Sequence, residues 1–567
     1  MSDWWKSAVV YQIYLKSFCD SNGDGIGDIN GAYSKLNYIK ELGANVIWLS
    51  PVNKSPMKDN GCDVSNYRAV DPVFGTLQDF DRFVKKAHSL GIKVIMDLAV
   101  NHTSIENPWF QESCSARDSE FRDFYIWRDP KKTGKTYGPP TDWISLFGGS
   151  AWTYDEKTEQ YFLHLFSPYQ PDLNWENPVL REEFYCIMRF WLERGIDGFR
   201  LDAVNLISKP VNAKGEFPNG NERLVVPNGP RVHEYLQEMN REVFSKYNVM
   251  TVGETGGAGV DDAVRYANSD GSELDMVIYF DHVDMDGSGS FKWTDKGINF
   301  FDLKDVFSQW QTGLYNRAWS ALYWCNHNLP RIVSRLGDNG EHREKSAKML
   351  ATCLYFMQGT PFVYQGEELG MTNVPFTDIN DYRDIESINA YKILVEESRH
   401  FSKDVMLRCL ALKSRDNART PMHWNNGLYA GFSKNRPWIM VNPNYININA
   451  EDQMNRPDSV FKYYQKLIRL RKEMDIITCG DFELLFPEHS DLFVYTRGYQ
   501  NKKLLVVCNF SREERTFVLP EGFTGKNVLI ANDDTHRTYT TELSSHGYRP
   551  KPCIVLGAFA AVVYRRY

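Results

Sequence analysis

The residues whose types and spacing best suggest chemistry are two charged side chains in the stretch Gly198-Phe-Arg-Leu-Asp-Ala-Val204. The stretch reads as a short buried strand, and because side chains alternate along a strand, Arg200 and Asp202 point to the same side. A guanidinium beside a carboxylate holds that carboxylate ionised, which is the state a nucleophile needs. A structural ion pair at a strand end is the alternative interpretation, and the rest of the chain must decide between the two.

Strands that are apolar on both faces alternate with amphipathic helices along most of the chain, which predicts a parallel sheet covered by helices. Such strands are predicted at 9–14, 45–51, 93–100, 198–204, 249–255, 276–280, 321–327 and 361–368. Eight parallel strands with intervening helices indicate an α/β protein with a (β/α)8 TIM barrel.

Two regions interrupt or end this alternation. Residues 104–172 are rich in aromatic residues, glycine and proline, which predicts a subdomain inserted after strand three. From 481 onward the pattern is one of short alternating strands, which predicts a C-terminal β-sandwich at 481–567. The barrel is then formed by 1–103 and 173–480.

The composition of the 567-residue chain narrows the class of protein. A net charge of -8 argues against a nucleic-acid partner. The sequence contains no apolar run of about 18 residues, the length that would predict a membrane span. Its N-terminal residues do not resemble a secretory leader. A cytoplasmic location is therefore expected. The ten cysteines lack CxxC spacing, which favours reduced thiols over disulfides or zinc ligands.

The loop from 20 to 28 carries oxygen-bearing groups at every second position, with glycines that allow a tight turn. This pattern predicts a structural Ca²⁺ site, with Mg²⁺ as the alternative ion. The expected ligands are Asp20, Asn22, Asp24, the Ile26 carbonyl and Asp28. The loop is not an EF-hand, because its twelfth position is glycine rather than glutamate. An ion-free turn rich in Asx residues and glycine is the alternative interpretation.

Polar and ionisable side chains follow four of the predicted strands, at the end where the active site of such a barrel lies. They are Asp97, Asn101 and His102 after strand three, Arg200 and Asp202 on strand four, Glu254 on strand five, and Asn326, His327 and Asn328 after strand seven. Carboxylates on adjacent strands can lie about 5 Å apart, the separation used by retaining glycosidases. Asp202 is then the predicted nucleophile, and Glu254, if burial raises its pKa, the general acid and base.

These motifs resemble glycoside hydrolase family 13, the α-amylase superfamily, and within it the oligo-1,6-glucosidase, dextran glucosidase and trehalose-6-phosphate hydrolase group. The matching pieces are Asp97-Leu-Ala-Val-Asn-His102, Gly198-Phe-Arg-Leu-Asp202, Gly253-Glu-Thr255, Asn326-His-Asn328 and Gln170-Pro-Asp-Leu-Asn174. The cation loop also belongs to the family pattern. Five motifs in the family order, spread over most of the chain, make the resemblance highly specific.

The resemblance implies roles for further residues. His102, His327 and Arg200 are expected around the terminal sugar. Asp59 and Arg419 match the pair that closes the non-reducing end of the pocket. Such an enzyme is expected to act as a monomer on small oligosaccharides or disaccharides, and to release one glucose at a time.

Two positions depart from the family pattern. Asn328 stands where the family has its third catalytic carboxylate, and Cys62 where a tyrosine usually stacks under the terminal sugar. The first departure predicts slow turnover and leaves a catalytically silent sugar-binding relative as an alternative. Two further alternatives are a glucosyl-transferring sucrose isomerase and a trehalose-6-phosphate hydrolase. Stretches such as 229–235 resemble trehalose-6-phosphate hydrolases. Ala203 stands where strict α-1,6 enzymes tend to have valine, which indicates tolerance of other linkages.

Overall fold

The computed structural model describes residues 3–211, 217, 227–287, 291–524, 526–534, 536–540 and 552–566. Its centre is a barrel of eight parallel strands in the order β6-β5-β4-β3-β2-β1-β8-β7. The strands are β1 (Val10–Ile13), β2 (Val46–Leu49), β3 (Lys93–Ala99), β4 (Gly198–Asp202), β5 (Met250–Glu254), β6 (Met276–Ile278), β7 (Ala321–Leu322) and β8 (Thr360–Tyr364). A parallel bridge between Val277 and Ser320 joins β6 to the start of β7 and closes the ring. The predicted TIM barrel is confirmed.

Helices cover the outside of the barrel. They are α1 (Leu36–Leu42), α2 (Leu77–Ser89), α3 (Pro178–Glu193), α4 (Val232–Glu242), α5 (Val260–Tyr266), α6 (Phe300–Leu314), α7 (Arg343–Tyr355) and α8 (Val460–Glu473). Local sequence signals start them: Thr76 and Asp79 form a capping box before α2, and Asn177 caps α3 ahead of a proline in its first turn. Further helices lie at Ile29–Ser34, Pro108–Ser113, Ile332–Leu336, Ile385–Tyr391, Lys403–Lys413, Asp416–Arg419, Ala450–Asn455 and Asp475–Cys479.

The strands are apolar on both faces because both faces are buried. Val10, Trp48, Ile95 and Phe362 belong to a packed layer inside the barrel. Neighbouring residues such as Tyr11 point outward into the larger core beneath the helices. The side chains at the carboxyl ends of the strands are thus carried on a rigid framework. In the described part of the chain, every helix is too short or too polar to span a membrane.

All eight barrel strands end at least one residue before the end that the sequence pattern predicted. β4 ends at Asp202, because Ala203 adopts left-handed backbone angles with φ 47°. β7 stops at Leu322, opposite Pro361 of β8. β8 stops at Tyr364, just before a 3-10 turn at Glu367–Leu369.

The inserted subdomain contains a three-stranded antiparallel sheet and a short hairpin. Its strands are Trp127–Arg128, Lys131–Thr133, Thr136–Gly138, Trp152–Asp155 and Gln160–Leu163. Backbone hydrogen bonds join its two ends: Thr103 donates to Pro171 at 3.2 Å, and Leu173 donates to Asn101 at 2.8 Å. The insert is therefore fixed directly above the end of β3.

The C-terminal domain consists of two packed antiparallel sheets, which confirms the predicted β-sandwich. Its strands are β9 (Asp481–Leu485), β10 (Leu492–Tyr499), β11 (Lys502–Asn509), β12 (Arg515–Val518), β13 (Val528–Ala531), β14 (Arg537–Thr540), β15 (Pro552–Leu556) and β16 (Ala561–Arg566). One sheet has the order β9-β10-β11-β16-β13 and the other β12-β15-β14. The domain contacts α7, where the Tyr495 hydroxyl donates to the Cys353 carbonyl at 2.7 Å. The ten cysteines, all among the described residues, form no disulfide bonds.

Candidate active site

One buried arginine organises the carboxylates at the ends of β3, β4 and β5. Arg200 Nη1 lies 3.0 Å from Asp97 Oδ1 and 2.5 Å from Asp202 Oδ1, and its Nη2 lies 2.7 Å from Glu254 Oε2. Arg200 is paired with Asp97 in the β3–β4 ladder, so both side chains face the barrel interior. Asp202 and Glu254 thereby share one guanidinium, the close arrangement that double displacement requires.

The environment separates the protonation states of the two central carboxyls. Burial opposes ionisation of Asp202, but Arg200 and His102 outweigh it and lower the pKa of this carboxyl. Burial raises the pKa of Glu254 to about 7, the charge of Asp202 adds to the shift, and Arg200 opposes it. The arrangement therefore places an ionised carboxylate beside a protonated carboxyl, the two states that a nucleophile and a general acid require.

Two buried histidines lie beside these carboxyls. Gln12 Nε2 lies 2.7 Å from His327 Nδ1, and because an amide nitrogen can only donate, the histidine carries its proton on Nε2. That Nε2 is buried and has no hydrogen-bond partner among the described residues. His102 Nε2 lies 3.1 Å from Gln170 Nε2. Burial lowers the pKa of both imidazoles, and the charge of Asp202 opposes this shift at His102.

The closed end of the site differs from the sequence-based pairing. Asp59 Oδ1 lies 3.2 Å from Arg415 Nη2, not beside Arg419 as the resemblance implied. Arg419 instead donates to the Asn328 Oδ1 at 2.8 Å and to the His327 carbonyl at 3.0 Å. Both arginines also bind the buried Asp384. They stand four residues apart around one short helical turn, so the sequence motif alone could not tell their roles apart.

Asn328 is held in one orientation by this contact. Its side-chain oxygen accepts the hydrogen bond from Arg419, and its backbone N–H donates to the Asn326 side chain at 2.8 Å. Because Asn328 lines the cavity described below, its amide nitrogen is the polar atom left for a ligand. Position 328 therefore offers a neutral donor where a carboxylate would carry a negative charge.

A cavity of about 450 Å³ joins these groups, a size typical of small-ligand sites. Asp59, Cys62, His102 and Arg415 line its closed end, and Asp202, Glu254 and Asn328 line it further along. Burial raises the pKa of the Cys62 thiol, which is therefore neutral. Arg200 and Arg419 lie behind this lining and contact Asp202 and Asn328, and His327 directly precedes Asn328 in the chain.

Sequence reasoning missed two aromatic side chains that the insert contributes to the cavity. Phe147 lies with its ring 5.0 Å from the Arg415 guanidinium. Phe166 lies 5.0 Å from the His102 ring. The high aromatic content of 104–172 was the available signal, but nothing in the spacing showed which rings face the site. These rings supply the apolar wall on which a sugar face can pack.

The predicted cation loop is folded by its own hydrogen bonds. Asp20 accepts from the backbone of Gly23 and Gly25 at 2.6 and 2.8 Å, and Asp28 caps the helix Ile29–Ser34 by accepting from Gly31 at 2.7 Å. The candidate ligand atoms of the loop are all oxygens, the atoms that a hard cation prefers. Among the described residues, however, no three His, Cys, Asp or Glu side chains are grouped to hold an ion. The calcium site therefore stays a prediction based on donor chemistry.

Comparison with known proteins decides the family. The model for the alpha amylase catalytic domain matches residues 12–480, and the model for the alpha-amylase SusG C-terminal domain matches residues 492–563. The chain belongs to the α-amylase family of glycoside hydrolases. The resemblance seen in the sequence is thereby confirmed.

Individual members of the family are similar over almost the whole chain. An oligo-1,6-glucosidase from Parageobacillus thermoglucosidasius is 52% identical over 538 residues, which cover 94% of this chain and 95% of that protein. A trehalose-6-phosphate hydrolase from Bacillus subtilis strain 168 is 50% identical over 539 residues, 94% of each. The crystal structure of an isomaltulose synthase from Klebsiella sp. LX3 superposes with a TM-score of 0.92 at 39% identity and covers 99% of both chains. Because these relatives carry three different activities, the substrate must be argued from the site.

Proposed function

We propose that the protein is a retaining α-glucosidase that removes glucose from the non-reducing end of short α-glucosides. The observation that carries this proposal is the closed end of the cavity. The buried ion pair between Asp59 and Arg415 forms a wall there, so a terminal sugar fits and a longer chain cannot pass through. A pocket of this shape acts from the chain end, whereas an open cleft would cut internally.

The carboxyls supply the two steps of the reaction. Asp202, kept ionised by Arg200, attacks the anomeric carbon and forms a glucosyl ester while Glu254 protonates the leaving oxygen. Glu254, now ionised, then takes a proton from water, which attacks the ester and regenerates Asp202. The two displacements release glucose with retained configuration.

Asn328 is proposed to slow this reaction without preventing binding. Its amide is nearly the shape of a carboxylate and offers a hydrogen bond to a sugar hydroxyl. It provides no negative charge near the carbon where positive charge develops. One such electrostatic group is commonly worth about 3–4 kcal/mol in the transition state.

The charges of the cavity favour a neutral substrate over a phosphorylated one. Arg415 is the only lysine or arginine among the described residues that line it, and Asp59 and Asp384 already bind that arginine. Recognition of a phosphate normally requires a cation that is free to bind it. Short neutral glucosides are therefore the proposed substrates, ahead of trehalose 6-phosphate.

A substrate panel tests these assignments. Isomaltose, maltose, sucrose and trehalose 6-phosphate are incubated with the chain as it stands and with an Asn328→Asp variant, and products are followed by NMR. We expect α-glucose from the neutral glucosides, released faster by the variant. Preferred cleavage of trehalose 6-phosphate, rearrangement of sucrose, or binding without turnover in either protein would each favour a different member of the family. The ratio of isomaltose to maltose cleavage tests whether Ala203 allows more than one linkage.

We also propose that the loop from Asp20 to Asp28 binds one Ca²⁺ as a structural ion. The support is its set of carboxylate, amide and carbonyl oxygens in a loop tied to the chain near Phe432, where the Asp20 N–H donates at 2.9 Å. Removal of the ion with EDTA should lower the melting temperature by about 2–4 °C, and added Ca²⁺ should restore it. An unchanged melting curve together with no bound metal by mass spectrometry would refute this site.

The monomeric state and the cytoplasmic location are proposals that rest on the sequence. Size-exclusion chromatography with light scattering measures the first, and fractionation of the source cells measures the second. A dimer in solution would require a search for an interface before the active-site proposals are applied to it.

A further inference from the structure

One carboxylate of the cavity has no partner in the protein. Asp284 is exposed and lines the same cavity as Asp202 and Glu254. Its backbone N–H donates to the Phe280 carbonyl at 3.0 Å, which fixes the turn that carries it. Its side chain makes no hydrogen bond or ion pair with any residue in the described part of the chain. A charged acceptor is thus left open to whatever enters the cavity.

The other carboxylates that line the cavity are bound by arginine: Asp59 by Arg415, and Asp202 and Glu254 by Arg200. Burial raises the pKa of Asp284 to about 6, and the charges of Arg335 and Lys292 oppose this shift, but both cations form their ion pairs with other acids. Arg335 lies 2.9 Å from Asp286, and Lys292 lies 2.6 Å from Glu386. Asp284 is therefore the carboxylate of this cavity that can serve a ligand without first giving up an ion pair.

Asp284 lies on the side of the cavity where the leaving-group sugar is expected. The terminal glucose occupies the end closed by Asp59 and Arg415. The leaving oxygen receives its proton from Glu254 at the end of β5, so the departing sugar lies beyond that residue. Asp284 comes from the turn after β6, which neighbours β5 in the barrel. The cavity wall on that side includes Gly256, Gly257 and Phe280.

We propose that Asp284 is a specificity-determining residue that accepts a hydrogen bond from a hydroxyl of the leaving-group sugar and disfavours an anionic leaving group. This inference rests on the proposed function and extends it to the second sugar of the substrate. A hydrogen bond to an ionised acceptor is about twice as strong as one between neutral groups, so the hydroxyl is recognised by the charge as well as by the shape of the side chain. The same charge repels a phosphate placed on that sugar.

The test compares leaving groups within one variant. Asp284→Asn and Asp284→Ala are made in the Asn328→Asp background, and kcat/KM is measured for isomaltose, p-nitrophenyl α-glucoside and trehalose 6-phosphate. Nitrophenol has no hydroxyl that Asp284 could bind. We expect isomaltose to lose about tenfold in kcat/KM relative to the aryl glucoside, and trehalose 6-phosphate to gain relative to isomaltose. Ratios within one protein do not depend on the fraction of it that is folded.

Asp305→Asn on the exposed side of α6 is the matched control, since it removes the same charge away from the cavity and should leave every ratio unchanged. Isomaltose binding by calorimetry to the slow Asn328 chain gives an independent readout, in which Asp284→Asn should raise Kd about tenfold. Equal effects on isomaltose and the aryl glucoside, or no effect on either, would overturn this role alone. Failure of both parent proteins to bind or cleave any neutral glucoside would instead overturn the proposed function, and this inference with it.

Discussion

Two arginine-centred clusters flank the cavity, and their charges balance differently. In the first, one arginine is shared by three acids: Arg200 with Asp97, Asp202 and Glu254. In the second, three cations bind three acids and one amide: Arg415, Arg419 and Lys292 with Asp59, Asp384, Glu386 and Asn328. The first cluster has an excess of acidic groups over cations, and the second is balanced.

The difference separates chemistry from recognition. Crowded acids around one cation drive the pKa values of Asp202 and Glu254 apart, which is what a nucleophile and a general acid require. A cluster with balanced charges fixes the shape and the hydrogen bonds of the cavity wall but adds little electric field at the reacting carbon. A carboxylate at position 328 would be held ionised by Arg419 and would extend the negative charge of the first cluster across the cavity.

The largest effect is expected from breaking the first cluster. Asp202→Ala should lower hydrolysis of p-nitrophenyl α-glucoside by at least about 10⁴-fold, because no other group can form the glucosyl ester. Glu254→Gln should spare the first step, since nitrophenolate leaves without protonation, and then stall at the covalent intermediate. A rapid-quench measurement should show a burst in Glu254→Gln only. Equal loss of both steps in the two variants would contradict the assigned roles.

The next largest effect is expected from a change in the net charge of the second cluster. Asn328→Asp should raise kcat by about a hundred- to thousandfold, with a much smaller change in KM, because the added charge acts on the transition state. Steady-state kinetics on isomaltose measure both constants. If the chain as it stands is already as fast as the variant, position 328 does not carry the third catalytic role.

The first cluster could be predicted from the sequence, whereas the second could not. Alternation along β4 places Arg200 and Asp202 on one side, and the regular succession of strands places Glu254 next to them. Arg415 and Arg419 are four residues apart, so periodicity predicts a common face but not which of them reaches Asp59. Strand pairing is fixed by a repeating pattern, and contacts between a loop and a short helix are not.

The same limit applies to the walls of the cavity. Phe147, Phe166 and Asp284 all lie in loops or turns, where no repeating pattern indicates the direction of a side chain. Strand ends were also misjudged where single residues act, as at Ala203, whose left-handed backbone angles end β4. The fold followed from patterns many residues long, while the specificity of the site depends on individual contacts.

A double-mutant cycle distinguishes the two arginines of the second cluster. Asp59→Asn and Arg415→Gln should each weaken isomaltose binding, and together they should cost less than their sum, with a coupling of about 1–3 kcal/mol for a buried pair in contact. Asp59→Asn combined with Arg419→Gln should be nearer to additive. Binding is measured by calorimetry on the slow Asn328 chain, so that the substrate stays intact. Stronger coupling to Arg419 would restore the pairing that the resemblance implied.

The smallest expected effect is the pH dependence that the first cluster imposes. The pKa of Glu254 is raised to about 7, so its protonated form, the general acid, persists up to neutral pH and is lost above it. In the Asn328→Asp variant, kcat/KM for isomaltose should therefore fall about tenfold per pH unit above this value. On the acid side, the pKa of Asp202 is lowered by Arg200 and His102 against the effect of burial, so the nucleophile stays ionised below the usual range of an aspartate.

Burial also raises the pKa of Asp97 to about 7, so the assignment needs a control. The burst with p-nitrophenyl α-glucoside needs no acid and should not decline above pH 7 if Glu254 is responsible. A burst that declines in parallel with isomaltose cleavage would assign the titration to Asp97 instead, because loss of its proton would act on Arg200 and the nucleophile whatever the leaving group.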